Sequence, residues 1–180
     1  VARARSAGRA RSAAADALRQ LYAAPGHLIR RCQQIAVAIF MEETRDFDLT
    51  PVQYAALVVV RAQPGVDQTR LVNLIALDRS TIGNVVTRLE AKKLIARRPG
   101  AADRRTKLLY PTALGGATLD AIAGAVDVAQ RRILTPLAPA ERRQFMTMLT
   151  RLVAINNVYS RAPLRPPKGS GAAPEGAPRG

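Results

Sequence analysis

The stretch Asp78-Arg79-Ser80-Thr81-Ile82-Gly83-Asn84-Val85-Val86-Thr87-Arg88-Leu89 decides the fold. Its apolar residues, Ile82, Val85, Val86 and Leu89, fall at the spacing of one helix face. Ser80, Thr81, Asn84 and Arg88 share the opposite face. Asn bonds adenine through N6 and N7, Arg bonds guanine through O6 and N7, and hydroxyls serve bases or phosphates. Downstream, residues near Ile95 to Arg98 and Thr106 to Pro111 read as strands. Pro99-Gly100-Ala101-Ala102-Asp103-Arg104 joins them. A reading helix followed by a basic β-hairpin is the layout of a winged helix-turn-helix. The plainer reading, a solvated polar face, explains neither the turn before this helix nor the basic hairpin after it.

This layout assigns a role to each cation. Arg79 and the helix N-terminus are expected to hold phosphate. Arg104 at the hairpin tip is expected in the minor groove, where guanidinium is favoured. Arg97, Arg98, Arg105 and Lys107 are phosphate candidates. Asp103 faces DNA only at a cost, so it is expected to pair with an arginine and fix the tip. Gly83 inside the helix costs about 1 kcal/mol relative to Ala. Either a close approach of DNA or another helix accounts for it, or it is simply tolerated.

Outward from this unit the chain reads as helices. Residues 1–24 form a basic arm, flexible at first and helical from about Ala13 to Tyr22, where Pro25-Gly26 interrupts. Leu28, Cys32, Ile35 and Ile39, with Ile29, Ala36 and Phe40 beside them, give a helix a wide apolar stripe. Thr50, Pro51 and Gln53 make a capping box before the next helix, which ends at Pro64-Gly65. Asp67 caps a short helix carrying Leu71, Leu74 and Ile75. Thr112 caps a long one with Leu119, Ile122, Val126 and Ile133, broken by Pro136 and Pro139. The last, Glu141 to Tyr159, places Phe145, Met148, Leu149, Leu152 and Val153 on one side.

The fold class expected is mainly α with a small β-hairpin wing. The main domain spans about 25–160, with the winged helix-turn-helix at about 50–112. Outer helices at about 27–45 and 113–159 carry stripes that one small reader cannot cover, so they are expected to dimerise. The segment 161–180, rich in Pro and Gly, reads as a disordered tail. A two-fold homodimer sets two readers about one DNA turn apart, on a pseudo-palindromic double-stranded operator.

Composition agrees. Lys plus Arg number 28 against 13 Asp plus Glu, a net charge of +15 that favours a polyanion. Residues 67–110 alone hold ten cations and four acids, so basic ends do not account for the excess. A single cysteine and a single histidine argue against disulfides and structural zinc, and no cofactor or metal is expected. No apolar run approaches the roughly 20 residues of a membrane span, which points to a cytoplasmic protein without a membrane partner. The absence of nucleophile motifs, metal-ligand spacing and a Gly-rich phosphate loop argues against an enzyme. A non-specific nucleoid-type DNA packer fits the charge but does not need Asn84 and Arg88 on one face. A membrane-surface role lacks a basic amphipathic helix with aromatic anchors.

Between Leu28 and Val153 the chain resembles the MarR family of bacterial transcriptional regulators. The resemblance rests on Leu49-Thr50-Pro51-Val52-Gln53-Tyr54, Leu77-Asp78-Arg79-Ser80-Thr81-Ile82, Thr87-Arg88-Leu89-Glu90, and Ala102-Asp103-Arg104-Arg105 leading to Thr112-Ala113-Leu114-Gly115. Two positions depart from the pattern. Lys93 stands where the family usually has Gly, so the end of the reading helix is expected to differ in shape. Pro111 replaces the usual Leu, which puts the last pairing of the second strand in question. The resemblance implies a homodimer that represses transcription until a small ligand releases it. His27 to Val37 is also similar to a branch controlling aromatic-compound catabolism, whose effectors include aromatic acids and their coenzyme A thioesters.

Family members bind effectors between the dimerisation helices and the reader. The candidates here are His27, Arg30, Arg31, Gln34 and Tyr54. Arginine's planar fork matches a carboxylate or phosphate. Adjacent Arg30 and Arg31 point apart on a helix, so at most one is expected to face a given pocket. Some members sense peroxide through a cysteine on this helix, which makes a redox-sensing repressor using Cys32 an alternative. The sensing branch places its cysteine more than a turn earlier, so Cys32 is read as a small buried hydrophobe.

Overall fold

The computed structural model describes residues 14–100, 103 and 105–165. Helix α1 (residues 14–23) and α2 (Pro25–Glu43) are separated by Ala24 alone. The expected interruption falls at Ala24, whose backbone is extended, and Pro25 opens α2, where its preset φ costs nothing. A 3-10 turn (Arg45–Phe47) leads to α3 (Pro51–Ala62). Then come β1 (Val66–Asp67), α4 (Gln68–Ile75), α5 (Arg79–Ala91), β2 (Ile95–Pro99), β3 (Lys107–Pro111), α6 (Ala113–Ile133), α7 (Pro139–Asn156) and a 3-10 turn (Asn157–Tyr159). The expected arm at residues 1–12 and the tail from 166 onward lie outside the described residues.

The start signals form as the sequence predicts. Thr50 Oγ1 accepts from Gln53 N–H (3.2 Å) and Gln53 Oε1 accepts from Thr50 N–H (3.3 Å), closing the capping box of α3. Asp67 Oδ1 accepts from Arg70 N–H (2.8 Å) at the start of α4. Thr112 Oγ1 accepts from Gly115 N–H (2.9 Å) at the start of α6.

The wing is larger than a hairpin. Its antiparallel sheet has three strands in the order β1-β3-β2. β1 pairs Val66 with Leu109 and Asp67 with Leu108. Two residues carry no alternation pattern, so this strand has no signature in the sequence. The Pro111 departure leaves the other edge intact, because Ile95 pairs with Pro111 in register.

The core lies where α3, α4, α5 and the sheet meet. Ala56, Leu57, Val60, Leu71, Val86, Leu89 and Leu109 are fully buried there. Each buried Leu contributes roughly 1.5–3 kcal/mol. Ile122 and Ala129 of α6 are buried too, and α6 runs against α2. Arg132 of α6 ties this pair at its far end, with Nη1 2.7 Å from Glu43 Oε1 and 3.0 Å from Glu42 Oε2. Both carboxylates, Glu43 more strongly, hold the guanidinium in its charged form. The pair is exposed, so its contribution to stability is small.

The outer helices differ from expectation. Of the α2 stripe only Phe40 is buried; Leu28, Ile29, Cys32 and Ile35 are exposed in the single chain. Cys32 is therefore not the buried hydrophobe the sequence suggested. On α7, Phe145, Met148, Leu149, Leu152 and Val153 are all exposed. Pro139 begins α7 rather than only ending the helix before it. Among the described residues no helix is long and apolar enough to cross a membrane.

Two joints set the reader's geometry. At the end of α5, Lys93 N–H donates to Glu90 O (2.8 Å) and Leu94 N–H to Leu89 O (3.0 Å), a Schellman closure. Lys93 takes φ +59°, the left-handed shape in which glycine is usual. The helix end thus keeps the glycine shape without the glycine, at a cost of about 1 kcal/mol. At the start of α6, Thr112 Oγ1 donates to Lys93 O (2.7 Å) and Thr112 N–H to Leu94 O (3.1 Å). Gly115 lies so close that an added Cβ would collide with the Leu94 carbonyl. We expect Gly115→Ala to lower the urea unfolding free energy by about 3 kcal/mol, in the range of severe overpacking. An unchanged midpoint would mean that α6 shifts without cost.

Candidate nucleic-acid interface

The reading helix is oriented as its pattern requires. Ile82, Val85, Val86 and Leu89 are buried, while Arg79, Ser80, Asn84 and Arg88 are exposed. The core-facing stripe fixes the rotation of α5 about its axis, and Asn84 and Arg88 are thereby presented outward. Gly83 has open space around it, so no described element of this chain demands a glycine there. Close approach of another helix among the described residues is excluded as its reason.

The helix start is more occupied than the sequence implied. Asp78 is the N-cap of α5, and its carboxylate accepts from Thr81 N–H (2.9 Å), Thr81 Oγ1 (2.9 Å) and Ser80 Oγ (2.6 Å). Both hydroxyls expected to read bases or phosphates are donated to this carboxylate. The Thr81 N–H expected to help hold phosphate is taken as well. Arg79 and Asn84 remain outward. The hydroxyl bond from Ser80, then the bonds from Thr81, lower the Asp78 pKa from 3.8 to about 2.

The wing side chains divide into two groups. Arg97 Nη2 donates to Thr87 Oγ1 (2.8 Å), and its Nε lies 2.9 Å from Glu90 Oε2. Arg97, expected on phosphate, is thus turned back onto α5 and ties strand β2 to it. Arg98 stacks its guanidinium 4.9 Å from the centre of the Tyr110 ring. Arg105 and Lys107 face solvent. With Arg97, Asp67, Gln68, Thr69 and Thr106 they line an open groove of about 500 Å³ between the wing and the start of α4. Asp103 does fix the tip, by a route other than the one expected. Its carboxylate accepts from Arg105 N–H (2.9 Å) and Thr106 Oγ1 (3.1 Å), and from no arginine side chain among the described residues. Arg104, the expected minor-groove residue, lies outside the described residues.

The effector candidates form one cluster and one outlier. Arg30 Nη1 and Arg31 Nη1 both donate to Gln34 Oε1, at 3.2 and 3.3 Å. Arg30 Nη2 is 3.5 Å from His27 Nδ1, and the His27 ring lies 5.5 Å from Tyr22. The two arginines therefore do not diverge as single helix positions suggest, because their long stems bend toward one amide. Tyr54 sits apart, half-buried with its ring 5.8 Å from Phe40. Tyr22 was not singled out from the sequence; its only signal there is an aromatic residue five positions before the one histidine.

A three-stranded wing beside an outward-facing reading helix defines a winged helix-turn-helix regulator of transcription. A family model described as "MarR family" matches residues 47–106. The HTH-type transcriptional repressor NicR of Pseudomonas putida is 30% identical over 128 residues, spanning 71% of this chain and 81% of that protein. A structure of Bordetella bronchiseptica BpsR, solved to explain regulation of its DNA binding by 6-hydroxynicotinic acid, is 32% identical with a TM-score of 0.68. It covers 73% of this chain and 94% of BpsR. The Streptomyces coelicolor regulator PcaV in complex with its natural ligand is also 32% identical, with a TM-score of 0.67, over 73% of this chain and 93% of PcaV. The chain belongs to the MarR family of DNA-binding transcriptional regulators.

Because the Asp78 pKa is lowered on folding, its bonds stabilise the fold above about pH 4 and are lost as pH falls through about 2. A carboxyl-carbon NMR titration should place the Asp78 midpoint near 2. Asp78→Ala should melt earlier than the parent at neutral pH, and the gap should close on acidification through that window. A midpoint at the ordinary value of 3.8 would remove the cap from the account.

Proposed function

We propose that this regulator is a homodimeric repressor of an aromatic-compound catabolic operon, released from a pseudo-palindromic operator by an aromatic acid or its coenzyme A thioester. The observation that carries it is the outward face of α5, where Asn84 and Arg88 stand clear of the core. Arg79, Arg98, Arg105 and Lys107 flank that face as phosphate contacts, and Arg104 is assigned to the wing tip. Asp103, Arg97, Ser80 and Thr81 act by holding the tip and the helix start in place. Dimerisation is supported by the exposed apolar residues of α2 and α7, which in water favour burial against a second copy.

The effector class is supported by NicR and BpsR. The first is a repressor, and the DNA binding of the second is regulated by a hydroxylated aromatic acid. In this chain Arg30, Arg31, Gln34 and His27 offer a cationic, hydrogen-bonding cluster on α2 for such an anion. Tyr54 belongs to the neighbouring wall of the reader rather than to that cluster.

Base reading predicts a difference between DNAs. Asn84→Ala and Arg88→Ala should each weaken operator binding by about ten- to a hundredfold, corresponding to roughly 1–3 kcal/mol of discrimination. Random-sequence binding should fall far less. Fluorescence anisotropy on both duplexes checks this; equal losses on the two would favour a non-specific DNA packer.

Effector binding is tested separately by calorimetric titration of an aromatic acid and its thioester. Arg30→Ala or Arg31→Ala should weaken at least one ligand by about tenfold, the value of a charge-assisted bond. Unchanged affinity in both variants would move the site elsewhere.

A further inference from the structure

Residues 161–165, expected within the disordered tail, are held against the reader. α4 leaves its last carbonyls without intrahelical donors, as every helix end does. Val72 O is satisfied by Leu77 N–H (3.2 Å) through the left-handed turn at Ala76. Asn73 O accepts instead from Arg165 N–H (2.7 Å), a donor from the far end of the chain. Asn157 secures the same segment from the other side. Its Nδ2 donates to Leu164 O (3.1 Å) and its Oδ1 accepts from Leu164 N–H (2.8 Å). Ser160 Oγ accepts from Ala162 N–H (3.1 Å) and shapes the turn between them.

The course of this strap is specific. Ser160, Arg161 and Ala162 form one wall of a cleft of about 490 Å³, and Ala76, Leu77, Asp78 and Ser80 form the other. These are the turn between α4 and α5 and the first residues of the reading helix. In a helix-turn-helix the first helix crosses the sugar-phosphate backbone and the second enters the groove by its N-terminal residues, so the turn between them stands at the groove edge. Arg161 and Arg165 are both exposed. No carboxylate among the described residues pairs with either. Asp78, the nearby anion, has its oxygens taken by Ser80 and Thr81.

We propose that Ser160 to Arg165 form a third DNA-contacting element, which places Arg161 and Arg165 on phosphates flanking the bases read by α5. Arg165, held by its own N–H on Asn73 O, and Arg161, on the wall of the cleft beside the helix-turn-helix turn, meet a polyanion whose charges recur along the groove. The strap carries no base-reading geometry, so its effect is sequence-independent. It widens the footprint and raises affinity without altering the recognised sequence. This inference rests on the DNA-binding reading above.

The test uses the full chain and a random-sequence duplex, with affinity measured across a salt series. R161Q/R165Q should make the log–log salt slope shallower by about 0.9 per lost contact in each protomer. Its melting temperature should stay at the parent value, because both side chains are exposed. Asn157→Ala, which frees the strap but keeps its charge, should weaken binding with Arg161 and Arg165 intact. A slope equal to the parent's in R161Q/R165Q overturns the proposal and leaves the strap a brace. If the double variant melts early, R161Q and R165Q singly decide by the same slope. Arg88→Ala separates the two inferences. Loss of operator binding in that variant with no effect of R161Q/R165Q keeps the regulator and rejects the strap. A parent that binds no duplex rejects both.

Discussion

The structure depends on the joint where Thr112 and Gly115 meet the backbone of Lys93 and Leu94. Three functional parts end at this point: the reading helix α5, the sheet of the wing, and the long helix α6. Thr112 donates to the carbonyls of Lys93 and Leu94 and caps α6 through Gly115 N–H. Gly115 permits this only because it has no Cβ. The left-handed turn at Lys93 points those carbonyls toward Thr112. The start of α6 is therefore tied directly to the end of the helix that presents Asn84 and Arg88. Packed joints of this kind move between discrete arrangements rather than deforming smoothly.

A second theme is the use of polar side chains to fix geometry before any DNA is met. Asp78 ties down the start of α5, Asp103 ties down the wing tip, and Arg97 ties the wing to α5. Of the three, only Arg97 was expected to touch phosphate; the two carboxylates hold the backbone that carries their neighbours. Preorganisation of this kind lowers the entropy lost on binding, because the rotamers that carry Asn84 and Arg88 sit on an already fixed helix. The acidic residues at the interface thus serve the cations around them by placing them, at the expense of some electrostatic attraction.

The single chain leaves α2 and α7 with exposed apolar residues, while α6 buries its stripe. α7 has no buried residue at all, although its sequence has a helical apolar pattern. An 18-residue helix of that kind is marginal alone in water, since helical stability in proteins comes mostly from packing. Of the described helices, α7 is thus one that packing within the single chain does little to stabilise.

The sequence by itself determined the winged helix-turn-helix, the capping box of α3, the caps of α4 and α6, and the outward face of α5. Periodicity and cap chemistry are local, and local patterns survive folding without knowledge of partners. It also indicated a regulator that handles DNA, because Asn and Arg at one helix face suit base edges. Tertiary structure alone decided what the polar residues do with their hydrogen bonds. The Ser80 and Thr81 hydroxyls bond Asp78, Arg97 turns inward, Arg30 and Arg31 converge on Gln34, and Lys93 adopts a glycine conformation. The short strand β1 and the strap at Ser160 to Arg165 were equally out of reach. Each is made by pairing with a backbone far away in the chain, and no pattern of neighbouring residues encodes a long-range hydrogen bond.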